Sequence, residues 1–270
     1  MKHVYIVTAL MIIGVLTVVY IIYTSSPHQS STIISSNTSS TEIPTTSPSL
    51  TTKSSLSSSS KTTLEIEPAT LYKIATYYEE VVFKVTQYNS SFDNIVDEIR
   101  FGLKRINISE GGIVYIDLFI ENKTTRIIDF TIGLRENDTV VKAGGKVNGN
   151  SINGINALKY ANNLVNQIKS LIFYEVLYGD QDMIIEEINA RVSKNPEFNI
   201  TSITKRKITI SAIDFNAVQV VLKSINPSNK ILNKTFVFAE VLPNTWTTVK
   251  LKIYYEDNMF QIYELIKIVP

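Results

Sequence analysis

The sequence predicts an α+β protein: an N-terminal transmembrane helix, a disordered Ser/Thr-rich stalk, then a twisted antiparallel sheet, open or half-closed as a barrel, packed on one long helix. Three observations lead there. Residues 4–23 carry no charge and are almost wholly apolar. Residues 24–63 are dominated by serine and threonine. Beyond residue 64, runs of period-two hydrophobicity alternate with one long stretch of helical period. The expected organisation is therefore a cytoplasmic N-terminus (1–3), a signal anchor (4–23), a stalk (24–63) and an extracytoplasmic domain (64–270).

A helix of ~20 residues rises ~30 Å, enough to cross the hydrocarbon of a bilayer. Tyr5, Tyr20 and Tyr23 lie near the ends of that run, where amphipathic rings favour the interface. A cleaved signal peptide is the competing reading. It would have a shorter apolar core and a small-x-small exit, whereas this exit reads IIYTSSP, with Pro27 directly after the best cut at Ser26. Lys2 precedes the run and the first charge after it is Glu42, so the positive-inside rule leaves the N-terminus in the cytoplasm and the rest outside.

The Ser/Thr stretch cannot bury enough apolar area to offset the entropy of ordering. As a flexible coil its ends would lie ~35 Å apart, and in polyproline geometry it would reach ~120 Å. Either way it acts as a spacer, and its hydroxyls suit O-linked sugars.

Seven Asn-x-Ser/Thr triplets occur, at Asn37, Asn89, Asn107, Asn122, Asn137, Asn199 and Asn233. They are the candidate N-glycosylation sites, and those in the domain are expected at loops or element edges, where a glycan can point into solvent. A short charged N-terminus, one span, a Ser/Thr stalk and a Cys-free domain rich in Ile, Asn, Lys and Tyr together resemble the stalked surface glycoproteins of thermoacidophilic archaea. That resemblance implies an N-glycosylated protein facing a harsh exterior, and it brings no activity with it.

In the domain, PATLYKIATYYEEVVFKV spaces Leu71, Ile74, Tyr78, Val81 and Val85 as a helix would, although its latter half also reads as a strand. EIRFGLKRI, GIVYIDLFI and IIDFTIGL alternate as strands, and AGGKVNGNSINGI reads as a loop. NALKYANNLVNQIKSLIFYEVLYG is the long helix, with Leu158, Ala161, Val165, Ile168 and Ile172 in one stripe and Gly179 as its stop. DMIIEEINARVSKNP follows as a shorter helix. Five more strands close the chain, the last two joined across EDN. A half-closed barrel around a helix, the architecture of extracytoplasmic lipid-carrier lipoproteins, suits this order.

Composition excludes several chemistries. There is no cysteine, and both histidines, His3 and His28, precede the domain. Cysteine nucleophiles, His-dependent triads and zinc sites of the usual kind are thus ruled out of it. No metal or cofactor is expected. A net charge of +1 offers no basis for binding nucleic acid.

Four acidic pairs remain as candidates for general acid–base work: Glu79/Glu80, Asp180/Asp182, Glu186/Glu187 and Glu256/Asp257. Each has a plainer reading as solvated face, turn or cap, with Asp182 expected to cap the second helix. TKRKIT (204–209) reads as lysine protection of a sheet edge, or as an anion site. Trp246, the single tryptophan, stands near several tyrosines that could stack on sugars or fill a core. No catalytic residue is assigned. The expected function is a membrane-anchored surface module that binds a protein, glycan or lipid. The alternatives are an Asp/Glu-dependent extracytoplasmic hydrolase and a structural or antimicrobial envelope component.

Overall fold

The computed structural model describes residues 68–89, 94–123, 125–195, 197–226 and 230–270. All belong to the second of two compact units, Ile66–Pro270. The expected anchor (4–23), stalk (24–63) and Asn37 lie outside the described residues. Among the described residues no helix is long and apolar enough to cross a membrane.

The α+β expectation, a sheet laid on one dominant helix, is corrected. The domain is one large antiparallel sheet of 12 strands carrying three helices of 7, 19 and 13 residues. The sheet exceeds the expected one because Glu80–Asn89, the Gly/Asn-rich Val140–Val147 and Asn150–Ile152, and Val176–Tyr178 all join it as strands.

Helix α1 (Leu71–Tyr77) starts at Thr70, whose side chain accepts from the backbone N–H of Lys73. It stops after two turns, where Tyr78 is extended and the β-branched Val81 and Val82 follow in β1 (Glu80–Asn89). The ambiguous stretch is thus helix first and strand second. A meander follows: β2 (Asn94–Ile108), β3 (Val114–Asn122), β4 (Thr125–Leu134), β5 (Val140–Val147) and β6 (Asn150–Ile152). The last two overturn the expected loop at AGGKVNGNSINGI. Asn148 and Gly149, at φ 51° and 79°, form the left-handed pair that a two-residue hairpin requires.

Helix α2 (Gly154–Ile172) buries Ala157, Ala161, Leu164, Val165, Ile168, Leu171 and Ile172. It ends before the expected Gly179 stop, because Val176–Tyr178 forms β7 against β11 (Thr245–Tyr255). Helix α3 (Gln181–Ser193) leads into a second meander of β8 (Phe198–Ile210), β9 (Ile213–Ser224), β10 (Ile231–Leu242), β11 and β12 (Met259–Val269). β1 pairs with β12, so the two meanders fuse in the order β6-β5-β4-β3-β2-β1-β12-β11-β10-β9-β8.

Two cores result. Across β2, β1 and β12, Phe101, Phe83 and Tyr263 stack at 5.7 and 5.1 Å, and Tyr160 of α2 stacks on Phe130 of β4 at 5.0 Å. The second core joins Ile184 and Ile188 of α3 to Val218, Val220, Phe238 and Trp246. Between them the sheet splits: β11 pairs with β12 only from Lys250 to Tyr254, and its first residues turn to β7. The C-terminus of α2 enters that split. Its Leu171 and Ile172 carbonyls accept from the hydroxyls of Tyr263 (2.6 Å) and Thr247 (3.0 Å), pairing groups that a helix end leaves orphaned.

Strand packing at Gly102 leaves no room for a side chain. A Cβ there would lie 2.2 Å from the Val81 carbonyl oxygen in β1. Gly102→Ala is expected to cost about 1–3 kcal/mol through forced backbone displacement, measured as a lower urea midpoint with m unchanged.

Candidate functional site

The segment between α2 and β7 is tied to α3 by the Glu175–Arg191 ion pair and lies within charge range of Lys234 in β10. It brings Tyr174 and Glu175 to a group formed by Arg191 near the end of α3, Lys234 in β10 and Tyr255 in β11. Register explains part of this. Lys234 faces Ile253 and Ile231 faces Tyr255 across the β10–β11 ladder, and Tyr255 lies two residues beyond Ile253 on the same face.

Arg191 bonds Glu175 at 3.0 Å and Glu187 at 2.8 Å, tying the α2–β7 segment to α3. Burial pushes the Glu175 carboxyl up, and the charges of Arg191 and Lys234 offset only part of that. Burial pulls the Lys234 ammonium down, against the opposing pull of Glu197 and Glu175. Tyr174 and Tyr255 are both pushed up, first by burial and then by nearby negative groups. The Lys234 ammonium lies 4.5 Å from the Phe198 ring centroid. Among the described residues, nothing accepts a hydrogen bond from that ammonium or from the Tyr174 and Tyr255 hydroxyls. Each of the three groups is half-buried but not sealed from solvent, so each can donate to water or to a ligand. The cluster therefore combines an aromatic wall, a held ion pair and three donors open to a ligand.

A stability titration checks its energetics. The folded state holds the Glu175 proton more tightly than the unfolded chain. The contribution of Glu175 is thus fully favourable below its ordinary value of 4.5 and is lost as pH rises through the raised one. Glu175→Gln removes that loss. It is expected to raise the melting temperature at pH 7 and to give no gain at pH 4, since Arg191 keeps Glu187 in either case.

None of the four acidic pairs comes together as a catalytic dyad. Glu79 faces Arg105 at 3.5 Å and Glu80 bonds Lys267 at 2.6 Å. Asp180, not Asp182, caps α3 by accepting from the N–H groups of Asp182 and Met183, while Asp182 bonds Lys205. That corrects the expected cap by two residues, since only Asp180 has the extended backbone of a capping position. Glu187 serves Arg191 and Glu186 lies on the exposed side of α3. Asp257 accepts from the Met259 N–H within the β11–β12 turn. Trp246 is buried and donates to the Gly179 carbonyl at 2.9 Å, so it fills the second core and offers no face to a sugar.

Of the candidate glycosylation asparagines, Asn107, Asn137 and Asn199 are exposed, Asn137 in the β4–β5 turn and the others on β2 and β8. Asn89 and Asn122 end β1 and β3 and are half-buried. Asn233 is half-buried within β10 and pairs with both Tyr254 and Lys223, a strand interior where a loop or edge was expected. Sequence reasoning missed the Glu175–Lys234 cluster altogether. Its members lie on separate elements, and no spacing links them.

No family model and no curated protein matches the chain. Among solved structures it is similar to Pseudomonas aeruginosa MucB in complex with MucA, at 7% identity and a TM-score of 0.31 over 73% of this chain and 54% of that one. It is also similar to a DUF1329-family protein from Desulfovibrio piger (7%, TM-score 0.22, 72% and 89%). A third is a putative outer-membrane lipoprotein-sorting protein domain from Vibrio parahaemolyticus (8%, TM-score 0.21, 73% and 90%). The chain spans about half the length of the MucB structure. These similarities are bacterial, and with them the resemblance to stalked archaeal surface glycoproteins is corrected. It rested on composition and segment order, which unrelated exported chains share, and on no residue motif. At such identities and TM-scores the similarities carry nothing further to this chain, whose function is read from its own residues.

Proposed function

We propose that residues 64–270 form an extracytoplasmic binding module whose ligand meets the Lys234, Tyr174 and Tyr255 donors beside the Glu175–Arg191 ion pair. The observation that carries the reading is the partly buried Lys234, whose ammonium has no hydrogen-bond acceptor among the described residues. Its burial costs stability, and a bound acceptor would return it. In the same proposal residues 4–23 anchor the chain with its N-terminus inside, and residues 24–63 lift the domain off the membrane. Asn107, Asn137 and Asn199 are the asparagines most open to glycans.

Two measurements test it. Protease added to intact cells should remove the C-terminal domain, and its survival would overturn the topology. An array of immobilised proteins, glycans and lipids, probed with wild-type and Lys234→Met protein, should retain the first and lose the second. The Lys234→Met variant should melt no lower than wild type, since it replaces a half-buried charge with an apolar chain of similar length. Binding unchanged by this substitution would remove the cluster from the proposal.

A further inference from the structure

A different part of the sheet offers an interaction surface of its own. β8 is 13 residues long and contains no proline. It pairs with β9 from Phe198–Ser224 to Ile210–Ile213, with a single register shift between Ile200 and Ser202. Among the described residues no strand pairs with its other side. The opposite end of the sheet is β6, only three residues long. Proteins ordinarily blunt a free edge by shortening it, bending it or placing proline or charge on it. Here three of those devices are absent or slight, and the fourth is strong. Thr204, Lys205, Arg206 and Lys207 are exposed in the middle of the strand. Lys205 is held by Asp182 and Arg206 by Gln219, while Lys207 has no partner among the described residues.

Charge of one sign selects what can add. Two copies of β8 pairing antiparallel about Arg206 would set Lys205 against Lys207 and arginine against arginine, and like charges directly opposite are destabilising. An extended segment with carboxylates at those positions meets the reverse. Its main chain would complete the unpaired edge, and flanking threonine and isoleucine favour the extended backbone. We propose that β8 is a docking edge that takes an extended acidic segment of a partner protein as an added strand.

The test uses the full chain and two synthetic peptides, one alternating glutamate with valine and threonine, the other with lysine in place of glutamate. Fluorescence anisotropy at low salt should show the acidic peptide binding at least about tenfold more tightly, and salt should weaken it. Amide exchange should slow at residues 201–208. Lys207→Glu should weaken binding about fivefold, and Thr204→Pro should abolish it. If the proline variant fails to fold, Lys207→Glu, which lies on an exposed position, still decides the matter. Equal binding of both peptides, protection away from β8, or indifference to Lys207→Glu would overturn the proposal. So would a β8 already protected in the chain alone, whether by residues 1–63, shown by its loss on their removal, or by a second copy, shown by its dependence on protein concentration.

Discussion

Trp246→Ala is expected to destabilise the domain by about 3–5 kcal/mol, the range for truncating a large aromatic in a packed core. The side chain is 1% exposed and lies among Leu177, Ile184, Ile188, Val218 and Phe238. It therefore holds together β7, α3 and the second meander. Its ring N–H also donates to the Gly179 carbonyl at 2.9 Å, fixing the link between β7 and α3. Trp246→Phe keeps most of the volume and leaves that carbonyl unpaired, so about 1–2 kcal/mol should be lost. Urea unfolding followed by circular dichroism measures both, since the chain's single tryptophan is removed in each variant. A loss under about 1 kcal/mol for the alanine variant would mean that α3 is not anchored through this residue.

Asp138→Ala is expected to cost about 2–4 kcal/mol, more than a turn residue ordinarily would. Asp138 sits in the β4–β5 turn at φ 64° and is buried, and its carboxylate reaches three groups from two other elements. It accepts from the backbone N–H groups of Leu71 (3.2 Å) and Tyr72 (2.9 Å) at the start of α1, and from Lys169 of α2 (2.9 Å). A helix of seven residues cannot hold itself together in water, so α1 depends on such outside partners. Lys169 is partly exposed and can turn to solvent, which keeps the cost below that of a fully buried broken pair. Asp138→Asn tolerates the left-handed backbone and keeps one acceptor oxygen, so it should lose about half as much. Equal stability of the alanine variant and wild type would show that α1 docks by its apolar side alone.

What could be read beforehand followed the range of the interactions. The β3–β4 and β11–β12 hairpins were legible because alternation and turn chemistry are local, and the apolar stripe of α2 was legible for the same reason. The β5–β6 hairpin was misread although Asn148–Gly149 is a strong turn signal, because Gly144 and Gly145 dilute the alternation around it. The end of α2 was missed because it is set by Thr247 and Tyr263, each more than seventy residues away. The site was not legible at all. Glu175, Arg191 and Lys234 look like ordinary surface charges; Arg191 stays exposed, and the half-burial of Glu175 and Lys234 appears only once their separate elements have packed.

The pairing of β1 with β12 has a consequence for biogenesis. The sheet's middle seam joins the first described strand to the last, so it cannot close before β12 has been synthesised. Such distant pairing is slow, and a chain awaiting it exposes unpaired strand edges. Until β12 arrives, the free side of β1 stays open to pairing with another chain.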